Sequence, residues 1–163
     1  MPTIPASGAL ALEAALALCL CVMPPQIASA ATPPGDACSL FTASQVSRVL
    51  GVIVTDGQHP IPSSLLLCGW APRGGAPIDG KKLTVNLMTA RAFEVGKTAA
   101  HGPAKTAASG VGDDAYYAAA GGLGTSLCIK TGSTYVRIRV GGFPTEKQKE
   151  LEKALALQML TKL

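Results

Sequence analysis

Aromatic side chains are scarce: one tryptophan, three tyrosines and three phenylalanines in 163 residues. That is too few for the successive stacking platforms that hold single-stranded nucleic acid. The basic residues are scattered, with only Lys81-Lys82 and Arg137/Arg139 close together. A net charge of +4 therefore reads as solubility or contact with anionic envelope surfaces, and no nucleic-acid partner is expected. Histidine is scarcer still, with only His59 and His101, both in loop-like stretches. No C-x-x-C, H-E-x-x-H or calcium-loop spacing occurs, so neither a metal nor another cofactor is expected. Gly96-Lys97-Thr98 has Arg91 where a phosphate loop needs its first glycine. Gly124-Thr125-Ser126-Leu127-Cys128 lacks the closing glycine of a nucleophile elbow.

Long apolar runs are also missing, with one exception. Leu10–Met23 is almost unbroken, is followed by Pro24-Pro25, and leads to Ala28-Ser29-Ala30. An apolar segment ending in an A-x-A site is the pattern of a secretory signal peptide, assigned to residues 1–30. The run is shorter than the roughly 20 residues needed to span a bilayer, so no stable membrane span is expected after cleavage. The segment before it carries no Lys or Arg, and Glu13 interrupts the run. Cys19 and Cys21 each follow leucine, and Cys38 follows Gly-Asp-Ala, so no lipid-attachment pattern is present. Residues 31–37 read as a linker, and 38–163 as one domain with its own core.

Within that domain the helix and strand signals are local and sharp. Thr42 with Gln45 forms a capping box, Phe41 and Val46 a hydrophobic staple, and Gly51 a left-handed stop, giving a first helix at Ala43–Leu50. Strands are expected at Val52–Thr55, Leu65–Ala71 and Lys82–Met88, the last alternating cleanly. A weak helix at Arg91–Ala100 leads to Gly102–Gly112, read as a mobile loop. Asp114–Ala119 is a strand, and Ser126–Lys130 with Thr134–Val140 a hairpin. Thr145 with Gln148 makes a second capping box for a last helix, whose Leu151, Ala154, Leu155 and Met159 face the sheet. The expected fold is α+β: an antiparallel sheet of about six strands with N-terminal, middle and C-terminal helices.

Few residues offer chemistry. Cys38, Cys68 and Cys128 form an odd set, and export favours one disulfide with one thiol left over. Cys38–Cys68 would tie the segment before the first helix to a strand; Cys68–Cys128 is the alternative pairing. Cys128 reads as a small buried hydrophobe, or as a thiol activated by Arg137. Asp113-Asp114 reads as a carboxylate pair for cation binding or acid/base work, or as turn chemistry introducing a strand. Tyr135, Arg137 and Arg139 alternate on one strand face, a stripe that receives an anion or an acidic partner, or simply faces water.

Cys38-Ser-Leu-Phe-Thr, Gln45-Val46, Leu50-Gly51, Cys68-Gly-Trp70 and Gly110-Val-Gly-Asp-Asp-Ala-Tyr-Tyr117 follow one another in an order that resembles a family of bacterial exported proteins. Many of these are lipoproteins, grouped as a domain of unknown function with the pattern C-x-L-L-T … C-x-W … G-x-G-D-x-A-Y. The resemblance covers Ala37–Leu163. It implies a disulfide between Cys38 and Cys68 and an α/β sandwich similar to the PsbP-like fold, and it supplies no catalytic residues.

Together these readings point to a non-enzymatic exported domain, periplasmic or secreted, that binds a small ligand or an envelope component. The ligand or partner face would comprise Tyr135, Arg137, Arg139, Asp113 and Asp114. The rival readings are a thiol-dependent redox accessory using Cys128 and a protein–protein interaction module.

Overall fold

The computed structural model describes residues 35–74 and 80–163; the expected signal peptide and most of the expected linker lie outside them. Asp36 caps a 3-10 turn at Ala37–Leu40 by accepting from the Cys38 amide, so the end of the expected linker belongs to the fold. Helix α1 occupies Ala43–Leu50. Thr42 and Gln45 exchange the two capping bonds, and Gly51 closes the helix at φ 66°, a backbone state that costs glycine little.

A single antiparallel sheet holds six strands: β1 (Leu67–Trp70), β2 (Lys82–Thr89), β3 (Lys105–Ala107), β4 (Asp114–Ala119), β5 (Thr125–Thr131) and β6 (Thr134–Gly141). Their order is β1-β2-β6-β5-β4-β3. The middle helix α2 spans Ala90–Thr98 and the last, α3, Thr145–Leu160. The α+β class, the three helices and the six-stranded antiparallel sheet are as expected, but two strands exchange roles. Val52–Thr55 contributes only an isolated bridge from Val54 to Pro72. The stretch expected as a mobile loop instead holds β3, paired to β4 with Thr106 opposite Tyr117. Three residues with no apolar alternation give β3 no sequence signal; it exists because β4 offers it an edge.

Pairing fixes two faces. Leu83, Val85 and Leu87 stand opposite Val140, Ile138 and Val136, and Leu127 and Ile129 continue the row. These side chains form the main core beneath α1 and α3. Trp70 closes one end, 1% exposed, edge-on to Phe41 at 5.9 Å between ring centres. At the full-burial scale of about 1.5–3 kcal/mol per large apolar side chain, this face dominates the stability.

Helix α3 departs from its expected start. Pro144 is the N-cap and no side chain caps the helix. Gln148 turns inward instead, accepting from the Thr125 amide at 2.9 Å and donating to the Phe143 carbonyl at 2.9 Å. One turn on, Glu152 is fully buried. It accepts from the Val140 amide at 3.1 Å and bonds the Thr125 hydroxyl at 3.2 Å. The β5–β6 ladder ends at Leu127–Ile138, where continued register would set Thr125 opposite Val140. The strands part there, and Glu152 fills the gap as a wedge. Gly124, at φ 87°, lies so close to the Gln148 side-chain amide that a Cβ would overlap it. The buried stripe of α3 is therefore Gln148, Leu151, Glu152, Leu155, Ala156 and Met159, with Ala156 in place of the expected Ala154.

Candidate functional site

The second face of the sheet is divided between two environments. Helix α2 covers one half, where Phe93 is buried against Tyr116, Tyr135 and Cys128. Its ring centre lies 5.2 Å from Tyr116 and 5.5 Å from Tyr135. Within this cluster Arg137 Nε donates to Tyr135 Oη at 3.0 Å, and Tyr135 Oη–H donates to Cys128 Sγ at 3.1 Å. Burial, together with the neighbouring Cys128 sulfur, pushes the Tyr116 hydroxyl up to about 12, so both tyrosines act as neutral packing and hydrogen-bonding groups at neutral pH.

Tyr135 is thus 1% exposed and does not form an open stripe with Arg137 and Arg139, which corrects the sequence expectation. Alternation along β6 puts the three on one face, but α2 seals the first of them from solvent. Cys128 is likewise 1% exposed. Its alkylation by iodoacetamide is expected to be about a thousand-fold or more slower in the native protein than in the unfolded chain, because the thiol is reached only through opening of α2 or global unfolding. Rapid native labelling, read by intact mass, would overturn that burial argument.

The aspartates are also drawn away from a site. Asp113 accepts from the Gly132 amide at 2.7 Å, bracing the β5–β6 turn. Asp114 pairs with Lys97 of α2. Gly112, at φ 61°, packs against the Lys130 carbonyl with no room for a Cβ, and Tyr117 Oη donates to the Lys149 carbonyl at 3.2 Å. Gly110–Tyr117 therefore acts as a clasp joining β4 to the hairpin turn, α2 and α3. The geometry matches turn chemistry and not a convergent carboxylate pair.

The other half of the second face is open. A concavity of about 590 Å³ lies there, lined chiefly by Lys82, Thr84, Leu123, Arg139, Phe143 and Gln148. The register builds it: Thr84 faces Arg139, and Lys82 faces Gly141, whose missing side chain leaves a step. The turn after β6 is held tight by Gly142, at φ 77°, packed against the Lys81 backbone. Arg139 is anchored by donating to the Leu123 carbonyl at 3.3 Å, and Lys81 Nζ lies 5.4 Å from the Phe143 ring centre. Two cations, Lys82 and Arg139, thus line the concavity with a hydroxyl and an aromatic ring, and no carboxylate is among the described lining residues. Of the five expected face residues, only Arg139 lines this concavity. Lys82 and Thr84 had been legible as the polar face of β2, but nothing in the sequence said that β2 would pair with β6.

Cys38 and Cys68 form a disulfide with Cα atoms 5.1 Å apart, and no helix among the described residues is long and apolar enough to cross a membrane. Against protein-family models, curated proteins and solved structures, the chain finds no match.

Proposed function

We propose that this is a non-enzymatic exported domain, periplasmic or secreted, that binds an anionic small ligand or anionic envelope component on the open half of its second sheet face. The observation that carries the reading is the concavity itself, with Lys82 and Arg139 in its lining and no acidic side chain among its described lining residues. A carboxylate or phosphate group seated there takes charge-assisted hydrogen bonds from both cations and the Thr84 hydroxyl, while Phe143 and Leu123 shield an apolar portion. Export is supported by the disulfide, which persists in oxidising compartments, and by the signal-peptide pattern. The ordered Cys38…Trp70…Tyr117 motifs support membership of the exported family described above.

Amide chemical shifts provide the test, with inorganic phosphate and citrate as probes. Saturable shifts are expected at Lys82, Thr84 and Arg139, with affinity falling about ten-fold or more in Lys82→Ala and again in Arg139→Ala, since each lost charge-assisted bond is worth about 1.5–3 kcal/mol. Shifts confined to other surfaces, or unchanged in the double variant, would rule the groove out.

A further inference from the structure

Two residues that line the concavity each stand one step from a buried acid. Arg139 precedes Val140 in β6, and the Val140 amide donates to Glu152 Oε1 at 3.1 Å. Gln148 precedes Glu152 by one turn of α3, and the two share a partner. Gln148 accepts from the Thr125 amide at 2.9 Å, while Glu152 Oε2 lies 3.2 Å from the Thr125 hydroxyl. Arg139 and Gln148 both line the concavity, so Glu152, fully buried, lies behind its wall. The charged groups around this acid are few. From β6, Arg139 is the cation acting on it, and it favours the ionised form. From β4, Tyr117 senses the Glu152 charge; burial first, and that charge second, hold its hydroxyl above the usual phenol range, so it stays protonated. β5 presents the uncharged Thr125. On α3 itself, Lys147 and Lys149 are paired with Glu150 and Glu146. Helix α1, also packed on α3, carries one charged residue, Arg48, which takes no part in this cluster.

We propose that Glu152 is an internal counter-charge to Arg139, and that an anion seated in the concavity takes over that role, so that binding draws a solvent proton onto Glu152. This coupling rests on the concavity being an anion site. An anion beside Arg139 places a second negative charge near Glu152 and offsets the cation that favours its ionised form. Both effects favour the neutral acid. By linkage the converse holds: a neutral Glu152 leaves the Arg139 charge wholly to the ligand, and the site then holds anions more tightly. The proton has a fixed place, because Oε2–H can donate to the Thr125 hydroxyl while Oε1 keeps the Val140 amide. Burial holds this acid up at about 7, which sets the working range. The concavity therefore loads an anion in mildly acidic surroundings and releases it as pH rises through that value.

Sulfate is the probe, because it stays fully charged from about pH 5.5 to about pH 8 and cannot itself carry the pH dependence. Followed through the Lys82, Thr84 and Arg139 amide shifts at constant ionic strength, it is expected to bind about five-fold or more tightly at the lower pH. Glu152→Gln, neutral throughout, should bind equally at both, with the parent's low-pH affinity. Calorimetry at about pH 7 in two buffers of different ionisation heat should show proton uptake by the parent and none by the variant. Independently of any ligand, Arg139→Gln should raise the titration midpoint of the Glu152 carboxyl carbon resonance. An unmoved midpoint would overturn the coupling, as would a pH dependence that survives in Glu152→Gln. Parent binding that is equally tight at both pH values, yet weakened by Lys82→Ala, would leave the anion site standing and remove its regulation alone. Absence of sulfate binding at both pH values would remove the two together.

Discussion

Reduction of Cys38–Cys68, or its replacement by a pair of alanines, is expected to lower stability by about 3–4 kcal/mol. The bridge spans a sequence separation of 30, and closing a loop of that length removes about that much conformational freedom from the unfolded chain. The native contacts around it are retained: Cys68 is fully buried, and the Ala37 amide bonds the Leu65 carbonyl at 2.8 Å independently of sulfur. The loss should therefore come from the unfolded state, so the reduced protein stays folded but melts roughly 10–15 °C lower. Calorimetry of oxidised and reduced samples measures it. A drop below 3 °C would mean that the loop is already restrained when unfolded. The backbone of Gly57 packs directly on this corner, where a Cβ would sit 2.7 Å from Cys68 Sγ and 2.9 Å from the Trp70 ring.

The second large effect is expected at Glu152, and its sign runs against intuition for a hydrogen-bonded carboxylate. Burial pushes this acid up from 4.5 to about 7, outweighing the Val140 amide, the Thr125 hydroxyl and the Arg139 charge, which all act in the opposite direction. The unfolded chain therefore loses its Glu152 proton near pH 4.5, while the folded chain keeps it to about pH 7. Between those values the unfolded state binds fewer protons, so stability falls as pH rises. The contribution is intact below pH 4.5 and lost above pH 7, at a cost on the order of 3 kcal/mol. Glu152→Gln should remove the penalty, because Oε1 accepts from Val140 and Nε2 donates to Thr125. Denaturant melts at pH 4.5 and pH 8 should show the variant matching the parent at the lower pH and exceeding it by roughly 2–3 kcal/mol at the higher. Glu152→Ala should destabilise at both, by about 2–4 kcal/mol, since it leaves a cavity and strands the Val140 amide. A variant no more stable than the parent at pH 8 would place the carboxylate in contact with water.

What was legible in the sequence follows from how local the governing physics is. The capping box of α1 involves residues three apart, and its helix matches residue for residue. The hairpin of β5 and β6 carries its own turn, so its two faces were readable from alternation. The short β3 depends on a neighbour's edge, and the capping role expected of Gln148 lost to a buried amide at Thr125, 23 residues distant. The site was hidden for the same reason. Alternation assigned Tyr135, Arg137 and Arg139 to one face, but the burial of Tyr135 beside a half-buried Arg139 depends on where α2 lands. That position is set by Phe93, the single buried side chain of α2, whose partners Tyr116 and Tyr135 lie on other elements. Asp113 and Asp114 were singled out as adjacent carboxylates, yet their partners, Gly132 and Lys97, lie on different elements.

The wedge between β5 and β6 bears on when this protein becomes itself. Every strand precedes α3 in the chain, so a ribosome or a translocation pore delivers the whole sheet before it delivers Gln148 and Glu152. Until they arrive, the open end of the hairpin holds two backbone donors without acceptors, at Thr125 and Val140, and the floor of the cationic concavity lacks one wall. The nascent sheet is thereby kept short of its final registry, and the binding surface is completed last. On the proposed export route that schedule has a use: the element that locks the fold is the last to cross.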